Sequence, residues 1–368
     1  MAIPLSSHAR EPDQVKICRA FKPAMALFVL ALSALVANPA SSAALPLRII
    51  CSTDNPADSP HVFALQTFAQ LLERYSEGQL QAVVHYRGNP HLPAIRGEEI
   101  NVNMLVSGRE NADEPLHISV VAAGNAAQKI EPLGFLMLPY LFKDIDSAKR
   151  LFSSPLMRHE LNQQIAKTYH ARALGWLIGG FRHMTNGQRP VRRLADLSGL
   201  RMRLPASRIM VLTYENLGAT VIPMNWADVP AALKNQTIDG QENPYSVIAY
   251  SRFWEAGQKY LSENGPFLWT GPLLISEPFF QSLSAQQQAI VQRAGQEAVA
   301  AQWQWTEEQT EQLKQQLLSH GMQINQLQDK PEWVRRSMAL WPQQYELIGA
   351  GSAERGQALV EQVLKQME

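Results

Sequence analysis

Apolar residues recur along the chain in short runs that alternate with helical stretches. Four of the runs have the length of buried strands: 45–51, 80–86, 118–121 and 173–178. Between the first two, Phe63, Phe68, Leu71 and Leu72 fall on one side of a helix. Strands that alternate with helices are typical of α/β sheets, so the pattern predicts an α/β protein.

The longest regular stretch predicts one helix near the C-terminal end. It begins at Ser284, a candidate N-cap with Gln287 three residues later, and continues to His320 before Gly321. At 1.5 Å per residue, a helix of about 37 residues spans about 55 Å, which exceeds one lobe of a two-lobed protein. The alternative is two helices broken near Gly295, since an isolated helical Gly costs about 1 kcal/mol.

An apolar run near the start, residues 24–37, follows several basic residues and precedes small ones. The run is shorter than the roughly 20 residues that cross a bilayer as a helix, and Ala43 and Ala44 offer cleavage positions. We therefore expect residues 1–43 to be a signal peptide that is removed, and the mature protein to be periplasmic. The alternative is an uncleaved N-terminal anchor.

Composition adds a domain count and excludes one class of partner. A chain of 368 residues with 46% hydrophobic residues exceeds the roughly 300 at which single cores stop growing, so two lobes are expected. Lys+Arg and Asp+Glu both number 33, which argues against nucleic-acid binding. Cys18 lies in the predicted leader, so Cys51 has no partner for an internal disulfide and is expected to be a buried strand residue.

Local motifs for catalysis, phosphate binding or metal binding are absent from the sequence. It contains no G-x-S-x-G, no G-x-x-x-x-G-K-[ST], no G-x-G-x-x-G and no H-E-x-x-H, and its nine histidines are scattered. We therefore expect a protein that is not an enzyme and that uses no cofactor or metal. An enzyme with paired carboxylates from distant positions stays the alternative.

Four blocks in the middle of the chain carry glycines and polar residues in a distinctive order: GWLIGGFRHMTNGQRP at 175–190, LADLSGLRMRLP at 194–205, LGATVIPMNWADV at 217–229 and DGQENP at 239–244. The chain resembles the dicarboxylate-binding type of substrate-binding protein of tripartite ATP-independent periplasmic (TRAP) transporters. In that family the stretches look like G-x-R, D-L-K-G-L-K-I-R-x-P, L-G-A-x-x-x-P-M and D-G-Q-E-N-P. The resemblance covers the mature chain and is weakest over residues 88–114, where we expect irregular surface structure around one helix.

The resemblance implies a two-lobed, periplasmic-binding-protein-like (type II) α/β fold with the long helix along both lobes. Lobe I is expected at 44–179 plus 269–308, and lobe II at 180–268 plus 309–368. The implied function is capture of a small organic acid in the inter-lobe cleft and its delivery to the membrane permease subunits of an ion-gradient-driven TRAP transporter. The alternatives are a periplasmic lyase or hydrolase acting on an organic acid, and a ligand-binding partner of a membrane sensor.

Arg203 is the candidate anchor for the carboxylate. Period-two alternation places Arg201 and Arg203 on one strand face, and Pro205 ends the strand. Arg203 is thus expected at the C-terminal end of a strand, where open α/β sheets bind ligands. Its planar guanidinium matches a carboxylate in bidentate geometry, while an ion pair with a local acid is the alternative. The resemblance implies the anchor role.

The resemblance implies further ligand contacts around Arg203. Arg182 is a second anion contact, or alternatively a residue that stiffens the hinge by a hydrogen bond. Trp226 is an aromatic pocket wall, or alternatively part of the core. Asn243 contacts the ligand, and its two preceding neighbours serve the fold. Asp54 and Asn125 are candidate contacts from the first lobe.

Two departures from the family pattern bear on the ligand. Residues 263–266 read ENGP where several relatives carry Thr-Asn-His, and residues 120–124 are poor in polar groups. These features predict an acid with fewer hydroxyl groups than a sugar acid.

Overall fold

The structure, a computed structural model, describes residues 45–107 and 115–368 and arranges their strands in two sheets. The first sheet contains, side by side, β2 (Leu80–Tyr86), β1 (Leu47–Thr53), β3 (Ile118–Val120), β10 (Leu268–Ser276) and β4 (Ala171–Phe181). The second contains β11 (Gln323–Gln326), β9 (Tyr260–Glu263), β5 (His183–Asn186), β8 (Gly240–Asn243), β6 (Arg201–Leu204) and β7 (Thr220–Pro223). The α/β class is confirmed, and the four apolar runs form β1 to β4.

The chain crosses between the two sheets. In the first sheet β1 pairs parallel with β2 and β3, and β10 pairs antiparallel with β3 and β4. After β4 the chain passes through Arg182 into β5 of the second sheet, and it returns through residues 264–267 to β10. The backbone N–H of Arg182 donates to the Phe267 carbonyl at 2.8 Å, so the two crossing segments are hydrogen-bonded to each other.

Helices surround the sheets. They are α1 (Pro60–Tyr75), α2 (Glu98–Val106), α3 (Ala123–Ala126), α4 (Ile145–Ser153), α5 (Leu161–Tyr169), α6 (Arg208–Leu217), α7 (Val229–Lys234), α8 (Tyr245–Tyr250), α9 (Glu277–Ser282), α10 (Ala285–Ser319), α11 (Lys330–Met338), α12 (Tyr345–Ile348) and α13 (Ala353–Met367). Ser59 caps α1 by accepting from the Val62 backbone, and Phe68 and Leu72 of its apolar side are buried. For residues 88–114 we expected irregular structure around one helix. Within the described part of that stretch, α2 is the one helix, and residues 108–114 lie outside the described residues.

The long helix α10 is a single unbroken element. Ser284 and Gln287 form the predicted capping box, and the helix packs on α1 and β4 beside the first sheet and on α8 beside the second. The alternative of a break at Gly295 is wrong. A Cβ at Gly295 would lie 2.6 Å from Leu174 Cβ, so the glycine allows the helix to approach β4 closely.

The C-terminal helices return to the first sheet. α13 packs on α4, and Arg150 Nε donates to the Met367 carbonyl at 2.8 Å. α12 packs on the turn at residues 131–137. The lobe boundaries derived from the sequence stay a proposal, and these contacts lead us to propose that lobe II ends before α12.

Cys51 lies in β1 as a buried free thiol, as the sequence predicted, and burial raises its pKa. Within residues 45–107 and 115–368, no helix is both long and apolar enough to cross a membrane. The predicted signal peptide, residues 1–43, lies outside the described residues.

Candidate functional site

Arg203 lies near the C-terminal end of β6, inside the second sheet. Parallel pairing aligns it with Ile222 of β7 and Gln241 of β8. The residue is only 4% exposed, and its Nε and Nη2 atoms donate to the Met224 carbonyl at 2.9 and 2.6 Å. Among the described residues no carboxylate lies within 4.0 Å of its guanidinium. Arg203 is therefore a buried cation without a direct counter-ion in the described part of the chain.

Arg201, two residues earlier on the same strand, has the opposite environment. Its Nη2 and Nε donate to the Asp239 carboxylate at 2.8 and 3.1 Å, and its side chain is 42% exposed. The local ion pair is thus formed by Arg201.

Burial lowers the pKa of Arg203 to about 10, the neighbouring Arg182 adds to the decrease and Glu242 opposes it. Arg203 still carries its charge at neutral pH.

Arg182 is engaged in a buried ion pair. Its Nε donates to both Glu242 oxygens at 2.9 and 2.7 Å, and Nη2 donates to Oε1 at 2.6 Å and to the Glu242 carbonyl at 2.9 Å. The Glu242 side chain is fully buried. These contacts hold the crossing segment against β8, as in the alternative in which Arg182 stiffens the hinge by a hydrogen bond. A ligand contact by Arg182 stays a prediction.

Trp226 and Asn243 lie beside these arginines. Arg203 Cζ is 5.7 Å from the centre of the half-buried Trp226 ring, which also packs 5.9 Å from Phe253. Asn243 ends β8, is buried, and donates from Nδ2 to Gln241 Oε1 at 2.6 Å. Because β6 and β8 are parallel neighbours, Arg203 and Asn243 lie at adjacent carboxyl ends, with Trp226 beside Arg203 and Arg182 paired with Glu242 of β8.

A second polar group lies beside the first sheet and is centred on Glu98, in the first turn of α2. Its Oε2 accepts from Asn125 Nδ2 at 2.9 Å and from the Ala122 backbone at 3.1 Å, and its Oε1 accepts from Asn55 Nδ2 at 3.2 Å. We call Asn55, Glu98 and Asn125 the Glu98 cluster. The Asn125 amide is thus held by a hydrogen bond within this cluster.

Asp54 lies next to this cluster. Its Oδ1 is 3.9 Å from Arg87 Nε, and the Asp54 side chain is 38% exposed. Burial raises the pKa of Asp54, and Arg87 opposes the increase. The ligand-binding roles of Asp54 and Asn125 stay predictions.

Tyr250 of α8 connects the two groups. Its hydroxyl donates to Asn55 Oδ1 at 3.4 Å. Burial raises the pKa of Tyr250, and the charges that act on the phenol include Arg87, Glu98 and Arg182. The Tyr250 hydroxyl therefore contacts the Glu98 cluster directly, and the charge of Arg182 also acts on it.

Sequence reasoning missed Glu98, His61 and Tyr250. Glu98 begins an acidic pair before apolar residues, a helix-start signal in the segment interpreted as irregular. His61 follows the Ser59 cap, and both of its ring nitrogens are buried without hydrogen-bond partners. Its Nε2 lies 3.8 Å from Glu98 Oε1, and its ring packs edge-on to Trp269 at 4.7 Å.

The buried imidazole predicts a pH dependence of stability. Burial lowers the pKa of His61 to about 3 from the usual 6.5. Below pH 6.5 the unfolded chain binds a proton that the folded chain does not, so this residue lowers the free energy of unfolding by about 1.4 kcal/mol per pH unit as pH falls towards 3.

The expected result is a smaller slope for His61→Phe than for wild type in ligand-free urea unfolding between pH 6 and pH 4.5. His159→Gln, at an exposed position, serves as the control and should keep the wild-type slope. Equal slopes for His61→Phe and wild type would show that His61 is protonated in the folded protein.

A metal site is not indicated: in the part of the chain that the structure describes, no three His, Cys, Asp or Glu side chains are placed to hold an ion. The polar groups that do converge are guanidinium, amide and carboxylate groups suited to hydrogen bonding. The site can therefore bind an anion through charge and hydrogen bonds.

Comparison with known proteins extends these observations. Residues 51–347 match the family model described as bacterial extracellular solute-binding protein, family 7 (DctP). Over 271 residues the chain is 29% identical to the 2,3-diketo-L-gulonate-binding periplasmic protein YiaO of Escherichia coli K12, with 73% of this chain and 77% of that protein covered.

Two solved structures have the same fold. A TRAP periplasmic solute binding protein from Rhodobacter sphaeroides superposes with a TM-score of 0.73 at 31% identity, over 88% of this chain and 100% of that one. The sugar acid binding protein DctPAm from Advenella mimigardefordensis, in complex with galactonate, superposes with a TM-score of 0.76 at 25% identity, over 88% and 99%.

Proposed function

The chain belongs to family 7 of the bacterial extracellular solute-binding proteins, and we propose that it captures a small organic acid between its two sheets and delivers it to the permease subunits of a TRAP transporter. The family consists of binding proteins rather than enzymes, as the sequence predicted. The observation that carries the proposal is the buried charge of Arg203, which lacks a direct counter-ion among the described residues.

A carboxylate is the ligand group that suits this charge. A buried cation without a direct counter-ion is costly, and a bound carboxylate offsets that cost through charge and paired N–H donors. Two donors of Arg203 already share the Met224 carbonyl, whereas Nη1 has no hydrogen-bond partner among the described residues. Trp226 beside the guanidinium adds an apolar wall for the body of the ligand.

The Glu98 cluster favours a hydroxylated acid. Its carboxylate and two amides offer both acceptors and donors, the groups that bind sugar hydroxyls. Two of the relatives bind sugar acids, 2,3-diketo-L-gulonate and galactonate. We therefore propose a sugar acid in place of the less hydroxylated acid that residues 120–124 and 263–266 indicate.

The cellular setting follows from the family. We propose that residues 1–43 are a cleaved signal peptide, that the protein works in the periplasm, and that its partner is an ion-gradient-driven membrane permease. A ligand-binding partner of a membrane sensor would use the same cleft. Transport of the identified acid by cells with and without the permease distinguishes the two.

A thermal-shift screen of the exported, purified protein tests the proposed ligand class. The panel contains galactonate, gluconate and glucuronate, succinate and fumarate, pyruvate and benzoate, with galactose as the neutral control. We expect a sugar acid to stabilise the protein, because ligand at 100 times its Kd adds about 2.7 kcal/mol to the unfolding free energy. Stabilisation by galactose alone contradicts the Arg203 anchor, and conversion of the acid to a product contradicts a pure binding role.

A further inference from the structure

A cavity of about 290 Å³ lies beside the first sheet, between β4, the long helix α10 and the segment from α4 to α5. The residues that form its walls and rim include Phe152, Met157, Arg158, Trp176, Gln292 and Trp303. Neither Arg203 nor any member of the Glu98 cluster lines it. Its volume is close to the lower end of the range for small-molecule pockets, about 300 to 1,000 Å³.

Aromatic rings supply the apolar part of the cavity walls, and Asn162, Gln292 and Gln296 supply a polar part. Phe152 stacks on Trp176 with ring centres 5.4 Å apart, and the Trp303 ring stands edge-on to Phe152 at 5.9 Å. Trp303 Nε1 already donates to the Trp176 carbonyl at 2.7 Å, so this polar atom is satisfied within the protein. The apolar part of the wall therefore offers ring faces and edges, which suit an aromatic or branched apolar body.

The charge at the rim is positive. Arg158 is exposed, and among the described residues no carboxylate lies within 4.0 Å of its guanidinium. Lys149, the other cation, is already paired with Glu307 at 2.6 Å. Among the described residues that line the cavity there is no Asp or Glu. The free charge is thus a single guanidinium beside walls that contain aromatic rings.

We propose that this cavity is a second ligand site, which binds a small amphipathic monocarboxylate with its apolar body between the aromatic walls and its carboxylate on Arg158. Apolar area supplies most of the affinity, and the guanidinium selects an anion. The site is separate from the Arg203 group, so it stands independently of the proposed transport function.

Calorimetric titration with indole-3-acetate, and with its neutral amide as the matched ligand, tests the proposal. The titrations use wild type and Arg203→Ala, because Arg203→Ala removes acid binding at the Arg203 group. We expect indole-3-acetate to bind both proteins with the same affinity and the amide to bind about fivefold more weakly, the effect of one exposed charge pair. No heat at millimolar indole-3-acetate, or loss of binding in Arg203→Ala, overturns the second site.

Variants at the cavity locate the binding. Ala300, an exposed lining residue of α10, is replaced by Trp to fill the space, and we expect at least a tenfold loss of affinity. Gln315→Trp, about 22 Å along the same helix, is the control and should bind normally. Arg158→Gln should reduce affinity about fivefold, against no change in the exposed Lys167→Gln. Unchanged binding in both Ala300→Trp and Arg158→Gln places the ligand elsewhere and contradicts the proposal.

Discussion

Replacement of Arg203 by Ala is expected to weaken binding of the best acid by about 30-fold to several-thousand-fold, with little change in ligand-free stability. Removing one member of a buried charge pair costs roughly 2 to 5 kcal/mol, and each 1.4 kcal/mol is about tenfold in Kd. Without ligand the variant leaves no orphan charge, because Arg203 has no direct carboxylate partner among the described residues. The folded protein loses the two hydrogen bonds to the Met224 carbonyl and the contact of the guanidinium with the Trp226 ring.

Calorimetric titration and urea unfolding of the ligand-free protein measure the two effects together. Arg203→Lys should rescue little affinity, since a point ammonium cannot replace the planar guanidinium. Arg201→Ala is the matched control on the same strand, and it should bind the acid normally because Arg201 pairs with Asp239. Wild-type affinity in Arg203→Ala would falsify the anchor role and leave Arg182 as the next candidate.

Replacement of Glu242 by Gln is expected to lower the ligand-free free energy of unfolding by about 3 to 5 kcal/mol. The substitution leaves the Arg182 guanidinium buried without a counter-ion, which is strongly destabilising. Arg203 lies close enough for its charge to act on the same pair, so the variant also loses the negative charge that offsets the second buried guanidinium.

Urea unfolding at pH 7 measures this loss. The control is Glu332→Gln, whose carboxylate pairs with Arg335 and Arg336 at the surface, and its removal should change stability little because water replaces the partner. A double variant, Arg182→Met with Glu242→Leu, should recover much of the stability because no charge stays unpaired. Wild-type stability in Glu242→Gln would show that the buried pair adds nothing to the fold.

Sequence alone determined the features that depend on neighbouring residues. The strand runs and the α/β class follow from the hydrophobic pattern, and the Ser284 and Gln287 capping box with Gly321 at the far end delimits the long helix α10. The four ordered blocks identified the family, which the match over residues 51–347 confirms. The burial of Cys51 was also predicted from the sequence, because its position in an apolar run places it in a strand.

Tertiary structure alone decided which polar groups meet. Arg201 and Arg203 are the same residue type on one strand face, but Asp239, which pairs with the first, is 38 positions away in the chain. Glu242, which pairs with Arg182, is 60 positions away. No local pattern encodes such partners, because strand order and register bring them into contact.

The same dependence on residues distant in the chain explains why the sequence did not predict the Glu98 cluster or the role of Gly295. The cluster draws its members from three separated segments, and Glu98 becomes its centre only because the start of α2 lies beside Asn55, which follows β1, and Asn125 of α3. Gly295 reads as a helix breaker when only its neighbours are considered. In the folded protein Leu174 of β4 leaves no room for a side chain at that position, so close helix–sheet packing requires the glycine there.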